Sequence, residues 1–394
     1  MSDSIVIVSV ARTPMGGMMG ALSEAAAYEL GATAIKAAVE RAGIDPKLVD
    51  QVLMGNVLQA GQGQAPARQA ALGAGLDKSA GATTVHKVCG SGLKSVMLAT
   101  DMLKAESADV IVAGGQESMS NAPYLLLKGR SGYRYGHSTV YDHMALDGLE
   151  DAYQRGQAMG VFAEQMVDEY KFSREDQDNY AIESLNRART AIEDGSFEWE
   201  ITPVTISSRR GDVVVDTDEQ PGNARPDRIP SLRPAFKKDG TITAANASSI
   251  SDGAAALVMM RASTAEKLGV KPLARVVAHT EHAHEPEWFT TAPVGAMQKC
   301  LDKAGWTKDE VDLYEINEAF ACVTMGAMRD LDLEHAKVNI HGGATALGHP
   351  IGASGARLLV TLIAALRKTG GKKGMASLCI GGGEAVALAV ELVD

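Results

Sequence analysis

Cys89 stands where a thiol can become reactive. Thr83-Thr84-Val85-His86-Lys87-Val88 alternates as a strand does, Gly90-Ser91-Gly92 permits a sharp turn, and Leu93 to Lys104 has the spacing of a buried helix. That order places the sulfur on a strand-to-helix turn at a helix N-terminus. Unpaired backbone N–H groups and the helix dipole there favour thiolate over thiol, so a nucleophile with a lowered pKa is predicted. The competing reading is a small residue that only packs, since free cysteine is among the most buried residue types. His349 sits in Gly348-His349-Pro350-Ile351-Gly352-Ala353-Ser354-Gly355, a side-chain-poor turn that suits a base beside an exposed centre. A second thiol, Cys379, ends a strand just before Gly381-Gly382-Gly383, where backbone amides can point at an oxyanion. In Asn317-Glu318-Ala319-Phe320 the amide of Asn317 follows another strand and can orient water or a substrate oxygen.

The elements that must position these groups alternate. Ile5 to Val10, Val52 to Gly55 and Val110 to Ala113 read as strands, and Ala25 to Ala42 and Ala65 to Leu72 as helices, which argues for an α/β sheet. The strand at Val110 is expected to be buried on both faces and to end at Gly114-Gly115. The grammar returns near the C-terminus, with Val311 to Ile316 and Ala376 to Ile380 as strands around a helix from Ala356 to Leu366. It is also a repeat. Ala42-Gly43 and Val49-Asp50 recur at one constant offset as Ala304-Gly305 and Val311-Asp312; Ser91-Gly92 recurs one residue further on as Ser354-Gly355, and Gly114-Gly115 slightly further still as Gly381-Gly382. A duplicated unit with small insertions accounts for that drift. It also makes the turns bearing Cys89 and His349 pseudo-equivalent, able to face one site across a pseudo-dyad.

Residues 121–248 break the alternation. They are richer in charge, Tyr and Pro, with a helix from Ser173 to Asp194 that Ser173 is placed to cap. The stretch from Ser207 through Arg209, Arg210, Arg225, Arg228, Arg233, Lys237 and Lys238 is the most basic long segment. A recognition loop on a rigid scaffold and a solvated surface loop both explain it. The resulting organisation is an N-terminal half over 1–120, completed by 249–270, an insert over 121–248, and a C-terminal half over 271–394.

Composition bounds the function. The chain has 394 residues, 38 Lys plus Arg against 49 Asp plus Glu, and a net charge of −11, which argues against a nucleic-acid binder and requires a local basic patch for any anionic ligand. Four cysteines, scattered at 89, 300, 322 and 379, form neither a disulfide framework nor a zinc motif and point to a reducing, cytoplasmic setting. No apolar run approaches a membrane span, and no basic, signal-like segment opens the chain. Gly90 to Ser95 misses the phosphate-loop spacing, and Gly61-Gln62-Gly63 lacks the third glycine of a dinucleotide fingerprint. His279, His282 and His284 with Glu281 and Glu285 lack the spacing of a zinc signature, so no metal is expected.

Val88-Cys89-Gly90-Ser91-Gly92, Asn317-Glu318-Ala319-Phe320, Gly348-His349-Pro350-Ile351-Gly352 and Cys379-Ile380-Gly381-Gly382-Gly383, in this order, make the chain resemble the thiolases nearly end to end. The resemblance implies two βαβαβαββ halves in a layered α/β/α/β/α core, an inserted loop domain, and a homotetramer or dimer. It implies reversible Claisen condensation of two acetyl-CoA to acetoacetyl-CoA and CoA, with thiolysis of longer 3-ketoacyl-CoA as the alternative. Coenzyme A thioesters are then substrates, and no cofactor is needed. By the same resemblance Cys89 carries the acyl group, His349 takes its proton and Cys379 handles the proton of the second acyl-CoA. Asn317, through a water, and His349 stabilise one oxyanion; the amides of Cys89 and Gly381 hold the other. Coenzyme A contacts map onto Ser248, Ala244, Phe236 and Met159 with Phe320 alongside, and Arg225 and Arg228 are candidates for its phosphates. Two departures stand out. Short-chain members usually carry His-Met-Gly where this chain has Ala158-Met159-Gly160, and commonly Met where Trp288-Phe289 lies.

Overall fold

The computed structural model describes residues 3–209 and 211–393; Met1, Ser2, Arg210 and Asp394 lie outside the described residues. The N-terminal half runs β1 (Ile5–Arg12), α1 (Ala27–Ala42), β2 (Gln51–Gly55), α2 (Pro66–Gly73), β3 (Gly81–Val85), α3 (Ser91–Lys104) and β4 (Val110–Ser118). The chain then leaves the sheet for α4 (Met159–Tyr170) and α5 (Arg174–Glu193), and returns as β5 (Ser251–Arg261). Its second half runs β6 (Ala274–Ala283), α6 (Ala292–Ala304), β7 (Leu313–Ile316), α7 (Ala321–Asp330), α8 (Ser354–Thr369), β8 (Lys373–Ile380) and β9 (Glu384–Leu392).

The duplication is visible in the strand order. Outward from the antiparallel contact of β1 with β6, at Val6 with Arg275 and Ile7 with Ala274, one half reads β1-β5-β4-β2-β3 and the other β6-β9-β8-β7. Where β3 pairs parallel with β2, the second half keeps only a single parallel bridge from Val338 to Tyr314. Its fifth strand is reduced to that bridge.

Alternation along β1 sorts side chains into layers. Ile5 and Ile7 enter the central core with α3 and α8, while Val6 and Val8 enter the outer core with α1 and α2. A register shift between Ile7 and Ser9 then turns Ser9 outward as well, so that Val10 points to the centre, and the Ser9 hydroxyl donates to the carbonyl of Ala38 at 2.6 Å. A third cluster packs α6 and α7 on the far side, completing five layers. Helix α8 lies between the two half-sheets, and Ser354 through Leu366 are all buried. An exposed face would be useless there, which is why the run Leu358-Leu359-Val360 breaks amphipathic spacing.

Glycine lets the two central helices meet at their N-termini. A Cβ on Gly92 would fall 2.7 Å from the Ala356 nitrogen, and one on Gly355 would fall 2.6 Å from the Leu93 nitrogen. The repeated Ser-Gly pair is therefore a reciprocal contact across the pseudo-dyad. Gly114-Gly115 behaves otherwise than expected. It does not end a strand but lies inside β4, because a Cβ on Gly114 would meet the Ala255 carbonyl and one on Gly115 the Gly352 carbonyl, each at 2.1 Å.

The insert is bolted down by buried polar contacts. Arg12 of β1 donates to both carboxylate oxygens of Asp218, at 2.7 and 2.9 Å, and also to Glu200; all three side chains are excluded from water. Ser173 caps α5 as expected, within a reciprocal Ser173–Asp176 capping box. The hairpin Val204–Ser208 and Gly211–Val215 packs through Val204, Ile206 and Val215 on the outer core beside α1 and α2. The first part of the basic stretch, which includes Arg209, is thus carried to the outer layer, while Arg225 and Arg228 stay near the insert's cleft.

Candidate active site

Cys89 lies on a turn that the flanking sequence forces tight. Strand β3 ends at Val85, short of the expected Val88, and Val88 takes a left-handed conformation at φ 44° that a β-branched residue rarely adopts. The turn is held by Gly90 N donating to the Lys87 carbonyl at 2.9 Å, Ser91 Oγ donating to the Val88 carbonyl at 2.6 Å, and Lys87 N donating to Ser91 Oγ at 2.8 Å. Gly90 has no room for a side chain, since a Cβ would stand 2.4 Å from Ile380 of the other half. The sulfur thereby sits immediately before α3.

The expected lowering of its pKa is overturned. Burial pushes the Cys89 thiol up to about 11, and the nearby Glu117 carboxylate adds to the rise, while the backbone N–H groups of Gly381 and of Cys89 itself pull the other way. Desolvation of this half-buried sulfur outweighs two amide donors. The same balance holds Cys379 well above its ordinary value: it is buried, and Cys89 and Cys322 lie close enough to oppose its charge.

His349 comes from the other half with its tautomer fixed. Ser354 has one hydroxyl proton, which it donates to the Pro350 carbonyl at 3.0 Å, so its oxygen accepts from His349 Nδ1 at 2.5 Å. Nε2 is left as the acceptor, with Asn317 Nδ2 donating to it at 3.4 Å. Burial, with the buried Arg357 cation second, lowers the imidazole pKa to about 3 and keeps it neutral. Asn317 is itself fully buried and its Oδ1 has no protein partner, an acceptor free for a water or a substrate group.

His349 opens onto an apolar cleft of about 630 Å³. Its lining includes His349, Met159, Phe236, Ala244, Ser248 and Phe320, so five expected contact residues share one wall system with the base. Cys379 packs in the cluster of Phe320, Phe236, Met159 and Trp288, and Cys89 packs on the cluster of Val57, Leu58, Met119 and Ile351, of which Met119 and Ile351 line the cleft. Arg225 and Arg228 do not line it. They line an adjoining cleft of about 310 Å³ that shares Gln220, Ala244 and Ser249 with the first. Ala158 lines the main cleft, leaving open space where a histidine would stand. Among the histidines set aside for metal, His279 pairs with Asp101 at 3.0 Å and His284 with the Trp288 carbonyl at 2.8 Å.

Two groups escape a linear reading. Glu318, fully buried, accepts from Tyr180 and Ser184 of α5 at 2.8 Å each and from Asn339 at 2.9 Å, which fixes the Asn317 segment to the insert. Its motif position was the only available signal. Glu117, at the end of a strand with nothing around it to mark it, had none.

Comparison with known proteins decides the family. The thiolase N-terminal domain matches residues 5–263 and the thiolase C-terminal domain residues 270–392. The chain belongs to the thiolase family. It is 50% identical over 392 residues to acetyl-CoA acetyltransferase 2 of Arabidopsis thaliana, covering 99% of this chain and 97% of that one. The crystal structure of the Bacillus anthracis acetyl-CoA acetyltransferase superposes with a TM-score of 0.97 at 40% identity, over 100% of this chain and 99% of that one. The Acat5 thiolase from Ascaris suum, solved in complex with coenzyme A, superposes at 0.94 with 38% identity over 99% and 100% of the two chains. This thiolase is an acyltransferase of the same two-half architecture.

Proposed function

We propose that this thiolase is an acetyl-CoA acetyltransferase that joins two acetyl-CoA molecules into acetoacetyl-CoA, reversibly, through an acyl-Cys89 intermediate. The observation that carries the reading is contact between the halves: the Gly381 N–H reaches the Cys89 sulfur, Cys379 lies close enough to Cys89 to oppose its charge, and Asn317 meets His349 at the wall of one apolar cleft. In the first step Cys89 Sγ attacks the thioester carbonyl, His349 Nε2 takes the thiol proton, and that proton leaves with the sulfur of coenzyme A. In the second step Cys379 gives its thiol proton to the now neutral His349, which later returns it to Cys89, and the Cys379 thiolate removes a proton from the methyl group of a second acetyl-CoA. The carbanion attacks the acyl carbon and expels Cys89, which regains a proton. The Gly381 and Cys89 amides are the donors for one oxyanion; Asn317, through a water, and His349 are those for the other. Each such donor contributes about 10²–10³ in rate.

The relatives named acetyl-CoA acetyltransferase support the acetyl substrate, and the coenzyme A complex of the Ascaris suum thiolase supports the cleft as the thioester site. Arg225 and Arg228 supply positive charge for the phosphates from the adjoining cleft. The reading extends to a cofactor-free homotetramer of fatty-acid metabolism in the cytoplasm. Exposed Tyr124, Leu126, Leu127 and Val140 on the insert support self-association. Among the described residues no helix is long and apolar enough to cross a membrane.

The test is a rapid mix of enzyme with acetyl-CoA. A burst of free coenzyme A equal to the enzyme present, with an acetyl group mapped to the Cys89 peptide, is expected. A label on any other side chain, or none, overturns the reading. Relative kcat/KM for acetoacetyl-CoA and for a longer 3-ketoacyl-CoA sets the chain length.

A further inference from the structure

Among the described residues no cation stands beside the buried carboxylate of Glu117. It lies at the end of β4, fully excluded from water, and four N–H donors converge on its two oxygens. Oε1 accepts from Asn56 Nδ2 at 2.7 Å and from Leu58 N at 3.1 Å. Oε2 accepts from Val57 N at 3.0 Å and from Gly352 N at 2.8 Å. The first three donors belong to the loop after β2, whose Val57 and Leu58 pack in the same cluster as Cys89 and Ile351. The fourth belongs to the turn that carries His349. One side chain thus joins the loop behind the nucleophile to the loop that bears the base, across the boundary between the halves.

The surroundings are shaped for that carboxylate. A Cβ at Gly352 would stand 2.5 Å from Glu117 Oε2, so the Pro350–Gly352 turn can approach it only as glycine. Burial raises the carboxyl to about 7 while its four donors hold it down, and no charged side chain offsets it. A buried anion is expensive unless it is fully hydrogen-bonded, and this one is. The titratable groups that act on Cys89 are Glu117 from β4 and Cys379 from β8. Burial is the main cause of the raised Cys89 thiol, and the Glu117 carboxylate, itself raised to about 7, adds a smaller part.

The geometry points to Glu117 as a positioning residue that clamps the His349 turn against the Cys89 side of the site and sets its carboxylate to act on the Cys89 sulfur. This rests on the acyl-Cys89 reading.

The test separates clamp from charge with two variants and two readouts. E117Q removes the charge and turns one acceptor into a donor facing N–H groups. It should lower kcat by about 10²-fold through misplacement of the turn, with KM changed less than about threefold. It should also move the pH midpoint of Cys89 alkylation by iodoacetamide down by about one unit, so that alkylation at pH 7 speeds up while turnover slows. E117D keeps the charge but withdraws it from Gly352; kcat should fall and the alkylation midpoint should stay. A purely structural role would slow both reactions or leave the midpoint unmoved in E117Q, and either result overturns the proposal. If E117Q does not fold, E117D with wild-type turnover also overturns it. Failure of the acyl-Cys89 reading shows elsewhere, as turnover that survives Cys89→Ala.

Discussion

The two halves share a strand order and differ most at one equivalent place. Between β4 and β5 the first half departs for the whole of 119–250, while between β8 and β9 the second half turns in three residues, Gly381-Gly382-Gly383. The long connection supplies Met159, Phe236, Ala244 and Ser248 to the cleft; the short one aims a backbone N–H at the Cys89 sulfur and ends the strand that carries Cys379. One copy of this connection therefore became the wall that holds the substrate and the other became part of the chemistry. The central helices kept their symmetry, because a reciprocal contact between backbones tolerates no side chain in either copy.

The chemistry in this comparison breaks most sharply at the sulfur. Cys89→Ala should cost about 10⁵–10⁶-fold in turnover, measured as coenzyme A release, with the fold unchanged. If both halves act in one step, Asn317→Ala should follow with a loss of about 10²–10³ in kcat. A normal kcat in that variant would confine the chemistry to the first half and Cys379. The pH dependence of the free thiol sharpens the point. Because burial raises the Cys89 pKa to about 11, iodoacetamide alkylation of the free enzyme should climb about tenfold per unit between pH 7 and 10. A plateau below pH 8 would restore the thiolate expected of a helix N-terminus.

Smaller effects probe the symmetry and the wall. Gly92→Ala and Gly355→Ala each force a Cβ against the opposite backbone, at a cost of about 1–3 kcal/mol each in denaturant unfolding. Since both disturb one contact, the double variant should lose less than the sum, and strict additivity would refute the reciprocal contact. Arg228→Ala, in the adjoining cleft, should raise KM for acetyl-CoA by no more than about tenfold and leave kcat alone. A fall in kcat without a change in KM would remove that arginine from phosphate binding.

Much of this was legible in the sequence because it is local. The alternation of strand and helix, the cap at Ser173 and the Gly-rich turns around Cys89 and His349 follow from backbone preferences within a few residues. The repeat betrayed the duplication because glycine and serine at a helix contact cannot drift. Legibility failed where a residue answers to distant neighbours. Gly114-Gly115 looked like the end of a strand, yet its glycines admit the Ala255 and Gly352 carbonyls. The basic stretch looked continuous, yet a hairpin carries its first part to the outer layer while Arg225 and Arg228 remain by the cleft.

Cys89 marks the division most clearly. Residue types and their order along the chain determined which atoms can act, since a thiol, an imidazole and an amide keep their chemistry wherever the chain puts them. Their proton affinities were decided only by the tertiary structure. Burial raised the thiol and lowered the imidazole, and it left Glu117 with four backbone and amide donors drawn from two distant loops. Solvation and opposing charge depend on what surrounds a group in space, and no stretch of neighbouring residues records that.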